Sequence, residues 1–309
     1  MRRTFGLKKI FLPGLLILIL VLPSAARGAE ILVLQSARIP AYDDALQGLA
    51  SILSRDNPGG KAIQAHTINT HILSEASSPV NLRQQIAGAQ PDLLVAIGSS
   101  SLSLVKDLAA IPVLYLMVPF PEDGKSRHIT GVNMTITAVQ QLDALVAAAP
   151  TAASIGLLYD PARTGALVRE AEAYAAQHHL NLAALPVRQA DEVPAQLTSL
   201  KGRIDWLWMV PDLTVITPQT VDYILLFSLE NRVPVLTFSK KYLDQGAVLS
   251  VSFDPYDMGK QAGELALKIL HGTRPADLPP EGARKVTVAR NAKAAQMLGI
   301  VLREEEEAH

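Results

Sequence analysis

"PDLLVAIGSSSLSLV", residues 91–105, and "IDWLWMVPDLTVIT", residues 204–217, share one plan. Each is an apolar run fit for the middle of a sheet, followed by small polar residues. Each then leads to a second buried-strand pattern, "IPVLYLMV" at 111–118 and "VPVLTFSK" at 233–240. A third pair precedes them in the same order: "ILVLQSARIPAYDDAL" from Ile31 and "SIGLLYDPARTGALV" from Ser154. Partners lie roughly 113 to 124 residues apart in all three comparisons. A single match between apolar strands could be chance. Three in sequence indicate one unit used twice.

Outward from these runs, strands are expected at 31–35, 62–68, 93–97, 113–118, 154–159, 182–187, 206–210, 235–238 and 248–253. Helix-period stretches lie between them. Leu167, Ala171, Tyr174, Ala175 and His178 make one such face, and Val139, Leu142, Leu145, Val146 and Ala149 another. Strands alternating with helices predict an α/β fold of two doubly wound parallel-sheet lobes. The stretch "GAVLSVSFDPYDMGKQAG", 246–263, reads as a strand entering a helix. Asp254 stands at the N-cap, Pro255 at the first helical position and Asp257 three residues after the cap. Met258, Ala262, Leu265, Ala266 and Ile269 form the apolar face beyond. A Pro-rich segment, 270–281, then precedes a strand-like "RKVTVA" at 284–289. Two late crossings between lobes are implied by this order, after an earlier one near "GVNMTIT", 131–137. The expected division is 29–132 plus 254–283 for the N-terminal lobe, and 133–253 plus 284–309 for the C-terminal lobe.

In doubly wound sheets, ligands sit beyond the carboxyl ends of strands, near helix N-termini. The segments there are 36–39, 98–101, 119–122, 160–164, 211–214 and 239–241, rich in Ser, Thr, Asp and Pro. Ser36, Asp160 and Thr214 are candidate ligand contacts on this ground. Capping and turn formation account for the same residue types without any ligand. Asp254 belongs at a hinge on the cleft floor, where its two acceptor oxygens allow a cap and a ligand contact together.

The rest of the chain bounds the function. Of 309 residues, 49% are hydrophobic and 18% charged, which suits large folded domains. The net charge of −1 argues against nucleic acid as a partner. The absence of cysteine removes disulfides, thiol catalysis and Cys metal sites. "MRRTFGLKKIFLPGLLILILVLPSAARGAE" places Arg2, Arg3, Lys8 and Lys9 before an apolar run broken by Pro13, then Ala26 and Gly28 at the spacing of a cleavage site. Residues 1–28 are therefore expected to be a cleaved signal peptide, and the mature protein periplasmic. A membrane anchor would need a longer uninterrupted run. Enzyme motifs are missing: there is no G-x-x-x-x-G-K-[ST] or G-x-S-x-G, and "PGGK" at 58–61 lacks the spacing. The seven histidines are scattered, and His178-His179 suits a helix C-terminus. Neither an enzyme, a cofactor nor a metal site is expected. A DNA-binding regulator on this fold would carry a helix-turn-helix where the leader stands.

"WMVPDLTVIT" at 208–217 and "RVPVLTFSKKYLDQGAVLSVSFDPYDMGKQAGELALKILHGTRPADLP" at 232–279 closely resemble the tryptophan/tyrosine-type ABC transporter substrate-binding proteins. "PDLLVAIGSSSLSLV", "IPVLYLMV" and the closing "NAKAAQMLGIVL" fit the same family. The resemblance implies a type I periplasmic binding-protein fold with three hinge crossings. It implies a monomer that delivers a small organic solute to an ABC permease in the inner membrane. Carried over by position, the family's cleft residues fall on Ser99, Ser100, Asp212, Ser239, Asp254 and Tyr256. Two departures stand out. The family often has Ser-Asp-Pro where this chain has Pro119-Phe120-Pro121, and Asp-Asn-Thr where it has Asp212-Leu213-Thr214. Phe120 and Leu213 replace a carboxylate and an amide, which favours an apolar or aromatic ligand over an amino acid. The alternative use of such a fold is an extracytoplasmic sensor that passes ligand occupancy to a membrane receptor or kinase.

Overall fold

The computed structural model describes residues 28–55, 66–73, 78–119, 121 and 126–303. The expected leader, apart from Gly28, lies outside the described residues, as do Phe120 and the acidic end from Glu304.

The first unit runs β1 (Glu30–Gln35), α1 (Pro40–Leu53), β2 (Thr67–Ile72), α2 (Pro79–Ala89), β3 (Leu93–Ile97), α3 (Ser99–Val105), β4 (Val113–Val118) and β5 (Ile129–Asn133). Its five strands pair in the order β2-β1-β3-β4-β5, all parallel. The second unit runs α4 (Ala138–Ala148), β6 (Ser154–Tyr159), α5 (Gly165–His178), β7 (Asn181–Pro186), α6 (Val193–Ser199), β8 (Trp206–Met209), α7 (Pro218–Asn231), β9 (Val235–Thr237) and β10 (Leu249–Phe253). After it come α8 (Pro255–Leu270), β11 (Val286–Arg290) and α9 (Ala292–Leu298). The second sheet has the order β11-β10-β9-β8-β6-β7. From β7 to β10 it repeats the first sheet strand for strand, so the internal repeat is a repeat of topology. Only β11 departs from the parallel expectation. It returns from a crossing and pairs antiparallel to β10, from Leu249 opposite Arg290 to Phe253 opposite Val286.

Central strands are buried on both faces, which explains their unbroken apolar runs. In the first sheet Val33, Val95 and Leu114 face α1 and α8, while Leu34, Leu94 and Tyr115 face α2 and α3. In the second, Leu157, Trp208 and Val251 face α4, α5 and α9, while Leu158, Leu207 and Val235 face α6 and α7. The expected strand at 62–68 is displaced: β2 begins at Thr67, and 62–65 lie outside the described residues. β2 is an edge strand in which only Ile68 and Ile72 are partly buried, so it carries no apolar run to read.

α8 comes after the last parallel strand of the second sheet yet packs on the first, lying along α1. Asp254 caps it, accepting from the Asp257 amide at 3.1 Å, with Pro255 at the first helical position. Met258, Ala262, Leu265, Ala266 and Ile269 are all buried. The two helices meet through glycines. A methyl group at Gly48 would strike the Tyr256 carbonyl, and one at Gly259 the Ala45 carbonyl.

Three segments join the sheets. The chain passes from β5 into α4, from β10 into α8, and from the Pro-rich segment into β11. They are tied to each other: Asn133 N donates to Glu281 O at 2.9 Å, Ala283 N to Thr135 O at 3.0 Å and Asp254 N to Lys285 O at 3.2 Å. Among the described residues no helix is long and apolar enough to cross a membrane.

Candidate functional site

A cavity of about 590 Å³ opens at the carboxyl ends of β6, β8, β9 and β10, against the first crossing. Its walls are apolar: Ile136, Leu167, Ile216, Phe238 and Phe253 contribute, and Leu213 stands 61% exposed at the edge. Pro119, just past β4, borders it from the first sheet. There β4 carries a bulge. Leu116 pairs with Val132 and Val118 with Asn133, leaving Met117 as an extra residue with φ 56°. A bulge of this kind bends the strand end and re-aims the side chains beyond it.

One buried carboxylate organises the polar side. Asp212 is 1% exposed and takes four donors. Its Oδ2 accepts from Asp160 N at 2.8 Å and from Thr164 Oγ1 at 2.6 Å. Its Oδ1 accepts from Thr214 N at 2.9 Å and from Val215 N at 3.3 Å. The loops after β6 and β8 are thereby fastened to one side chain. Thr214 Oγ1 donates to Asp160 Oδ2 at 2.7 Å and accepts from Arg163 Nε at 3.1 Å. The Thr214 hydroxyl and the Ala162 amide, with help from Arg163 and Arg188, hold the Asp160 carboxyl below the ordinary carboxylate range despite its desolvation.

Gln141 reaches the cavity from α4 and is held at both ends. Its amide nitrogen donates to Ile136 O at 3.0 Å, and its oxygen accepts from Trp208 Nε1 at 3.0 Å. Phe238 and Tyr242 meet edge to face with centroids 5.5 Å apart, and the Lys241 ammonium lies 4.6 Å from the Tyr242 centroid. Such a pocket, apolar with a few fixed polar groups at its rim, is the usual form of a small-molecule site. Among the described residues no group of His, Asp or Glu could hold a metal ion.

Residues 30–307 match the model of the family described as ABC transporter substrate binding protein. The chain belongs to this family. It is 20% identical over 252 residues to a tyrosine-binding protein of Clostridioides difficile, covering 78% of this chain and 72% of that one. A ligand-free, open substrate-binding protein with adhesive properties from Clostridium difficile superposes with TM-score 0.68 at 22% identity, over 91% of this chain and 97% of that one. An ABC domain solved with L-Trp from Streptococcus pneumonia gives TM-score 0.56 at 24% identity, over 90% and 96%. The family is one of solute-binding proteins, not of enzymes, and its fold is the α/β binding-protein fold with parallel-sheet lobes.

Within this substrate-binding protein the residues picked out by sequence fall at different distances from the cavity. Asp212 lines the cavity, and Asp160 and Thr214 join its hydrogen-bond cluster. Ser239 does not line the cavity, although Phe238 before it and Lys241 two residues after it do. Ser36, Ser99 and Ser100 sit on the first-lobe rim and do not line the cavity. Ser36 Oγ accepts from Ser101 N at 2.9 Å, while Ser99 and Ser100 are exposed in the first turn of α3. Gly98 just before them has φ 87°, and a methyl group there would run into the Tyr42 hydroxyl and Ser36. Asp254 and Tyr256 also lie apart from the cavity lining, where Phe253 is the contributor. The Asp254 oxygen left over from capping meets Lys285 Nζ at 2.8 Å. Phe120 lies outside the described residues, next to the lining residue Pro119.

Met134, Ile136 and Gln141 escape sequence reading. They reach the site only because the first crossing brings them there, and no local signal marks that. Arg163, Thr164 and Lys241 stand inside rim segments that sequence did single out.

Proposed function

We propose that this protein is the solute-receiving component of an ABC importer. It holds one small, largely apolar organic solute between its lobes and presents it to a permease in the inner membrane. The observation that carries this is the apolar cavity of about 590 Å³ at the carboxyl ends of the second-sheet strands, bordered by the first crossing and by Pro119. In this reading residues 29–132 plus 254–283 move as one lobe and 133–253 plus 284–309 as the other. The leader of residues 1–28 directs the chain to the periplasm, where it works as a monomer. The contacts proposed from the first lobe, Ser36, Ser99 and Ser100, reach the solute on closure. Those proposed from the second, Asp160, Asp212, Thr214 and Ser239, shape the floor on which it first lands. Asp254 and Tyr256 serve at the hinge, and Phe120 is proposed as a contact on its apolar chemistry alone.

Native mass spectrometry of protein purified without denaturation tests the site, because tight binders retain their solute. Leu213→Asp is the companion variant. Leu213 is exposed, so the fold should persist, while an unpaired carboxylate at the apolar mouth disfavours the bound solute. A retained small-molecule mass in the wild type that the variant loses supports the cavity. An equal adduct on both proteins would move the site elsewhere.

A further inference from the structure

The charges around the cavity select the class of solute, on the premise that this cavity is the solute site. Three of its described lining residues are charged: Asp212, Arg163 and Lys241. The one anion is already committed. A carboxylate offers about four lone-pair positions, and four protein donors fill those of Asp212. To bind it, an incoming ammonium group would have to displace the amides and the hydroxyl that fasten two loops.

The cations are in the opposite condition. Arg163 spends only its Nε, on Thr214. Its side chain is 53% exposed, and its two terminal nitrogens have no hydrogen-bond partner among the described residues. Asp160 pairs with it at 3.6 Å from Nε, a contact that again engages the inner edge of the guanidinium and leaves the two terminal nitrogens unspent. Lys241 is exposed, rests over the Tyr242 ring, and has no carboxylate within ion-pair distance among the described residues. A planar guanidinium with its outer edge unspent is suited to a carboxylate, which it can grip with two parallel hydrogen bonds.

We infer that the solute is an aromatic or arylaliphatic carboxylate that carries no α-ammonium group. Its carboxylate is received by the outer edge of Arg163, with the Lys241 charge in support. Its ring lies against Ile216, Phe238 and Phe253.

Three probes on one skeleton test this by calorimetric titration of the mature chain. Indole-3-propionate has the acid alone, tryptamine the amine alone, and L-tryptophan both. The expected order is indole-3-propionate first, L-tryptophan weaker by about tenfold or more because its ammonium is desolvated without a partner, and no heat from tryptamine. Arg163→Gln should weaken indole-3-propionate by about ten- to a hundredfold with the melting temperature unchanged, and Lys241→Gln should weaken it less. L-Tryptophan binding as tightly as indole-3-propionate, measurable tryptamine binding, or full affinity in Arg163→Gln would each overturn the inference. So would silence from all three probes. The reading of the cavity as the solute site is decided separately, by the retained mass and its loss in Leu213→Asp.

Discussion

Asp212 shows how one buried side chain can fasten two loops at the wall of a cavity. Asp212→Asn keeps the shape but turns an amide group toward donors that need an acceptor, on whichever side it points. Lost charge-assisted bonds of this kind should cost about 1–3 kcal/mol. The urea midpoint should fall with an unchanged slope, and solute affinity should fall with it because Leu213 and Thr214 lose their anchor. Asp254 makes the opposite case. Burial pushes its carboxyl up, but Lys285, the Asp257 amide and the Tyr256 amide outweigh that and leave it below the ordinary range. A carboxylate with a depressed folded value contributes stability that is present above the unfolded value and is lost as pH falls through the folded one. Asp254→Ser preserves the cap, so near neutral pH only a few tenths of a kcal/mol should be missing. Below about pH 4 the wild type should lose its lead. Urea midpoints at pH 7 and pH 3 for the two proteins check this, and an equal gap at both values would sink it. The cap at Asp254 was legible from four consecutive residues. Its partner Lys285 was not, because that contact spans 31 residues and depends on two crossings lying side by side.

Elements were legible where both faces of a strand are buried. β3, β4 and β6 start and stop where their apolar runs do. β2 fails this test as an edge strand. β5 fails it because Gly131 and Asn133 dilute its run, so that "GVNMTIT" reads as a connection alone although its first three residues are strand. The pairing of α8 with α1 has its own sequence signature, Gly259 and Gly263 spaced by one helical turn, whose meaning appears only against Gly48. Gly259→Ala distinguishes local propensity from packing. In an exposed helix the change would stabilise by roughly 1 kcal/mol. Here the added methyl meets the backbone of α1, which cannot rotate away, so a net loss of about 1–3 kcal/mol is expected. Denaturant unfolding reads the sign directly. A stabilised variant would mean that the two helices have room to separate.

At the scale of the whole molecule, the lining of the cavity is lopsided, and on the proposed function that sets an order of events. The second lobe and the first crossing supply nearly all of it, and past β4 the first lobe adds Pro119. In the proposed function the solute settles on the second lobe while the lobes are apart, and gains the first-lobe rim only when they close. Contacts made only in the closed form draw the population toward it, by as much as the difference in affinity between the two forms. The hinge suits such a rotation. The three crossings are bonded to one another, and Arg284 is locked to α8 by pairs of bonds to Asp257, at 2.9 and 3.3 Å, and to Glu264, at 2.9 and 3.1 Å. Motion then falls at the flanks of the crossings, where a few backbone torsions can absorb it. Small-angle scattering should show a smaller radius of gyration with saturating solute than without it. In stopped-flow binding, replacing Ser99 and Ser100 together by Ala should speed dissociation and leave association nearly unchanged, because in the proposed order those side chains meet the solute after it has landed. Leu213→Asp should slow association as well, since it disturbs the surface of first contact. An unchanged radius at saturation, or a Ser99 and Ser100 double variant whose defect lies in association, would rule out landing on the second lobe before closure.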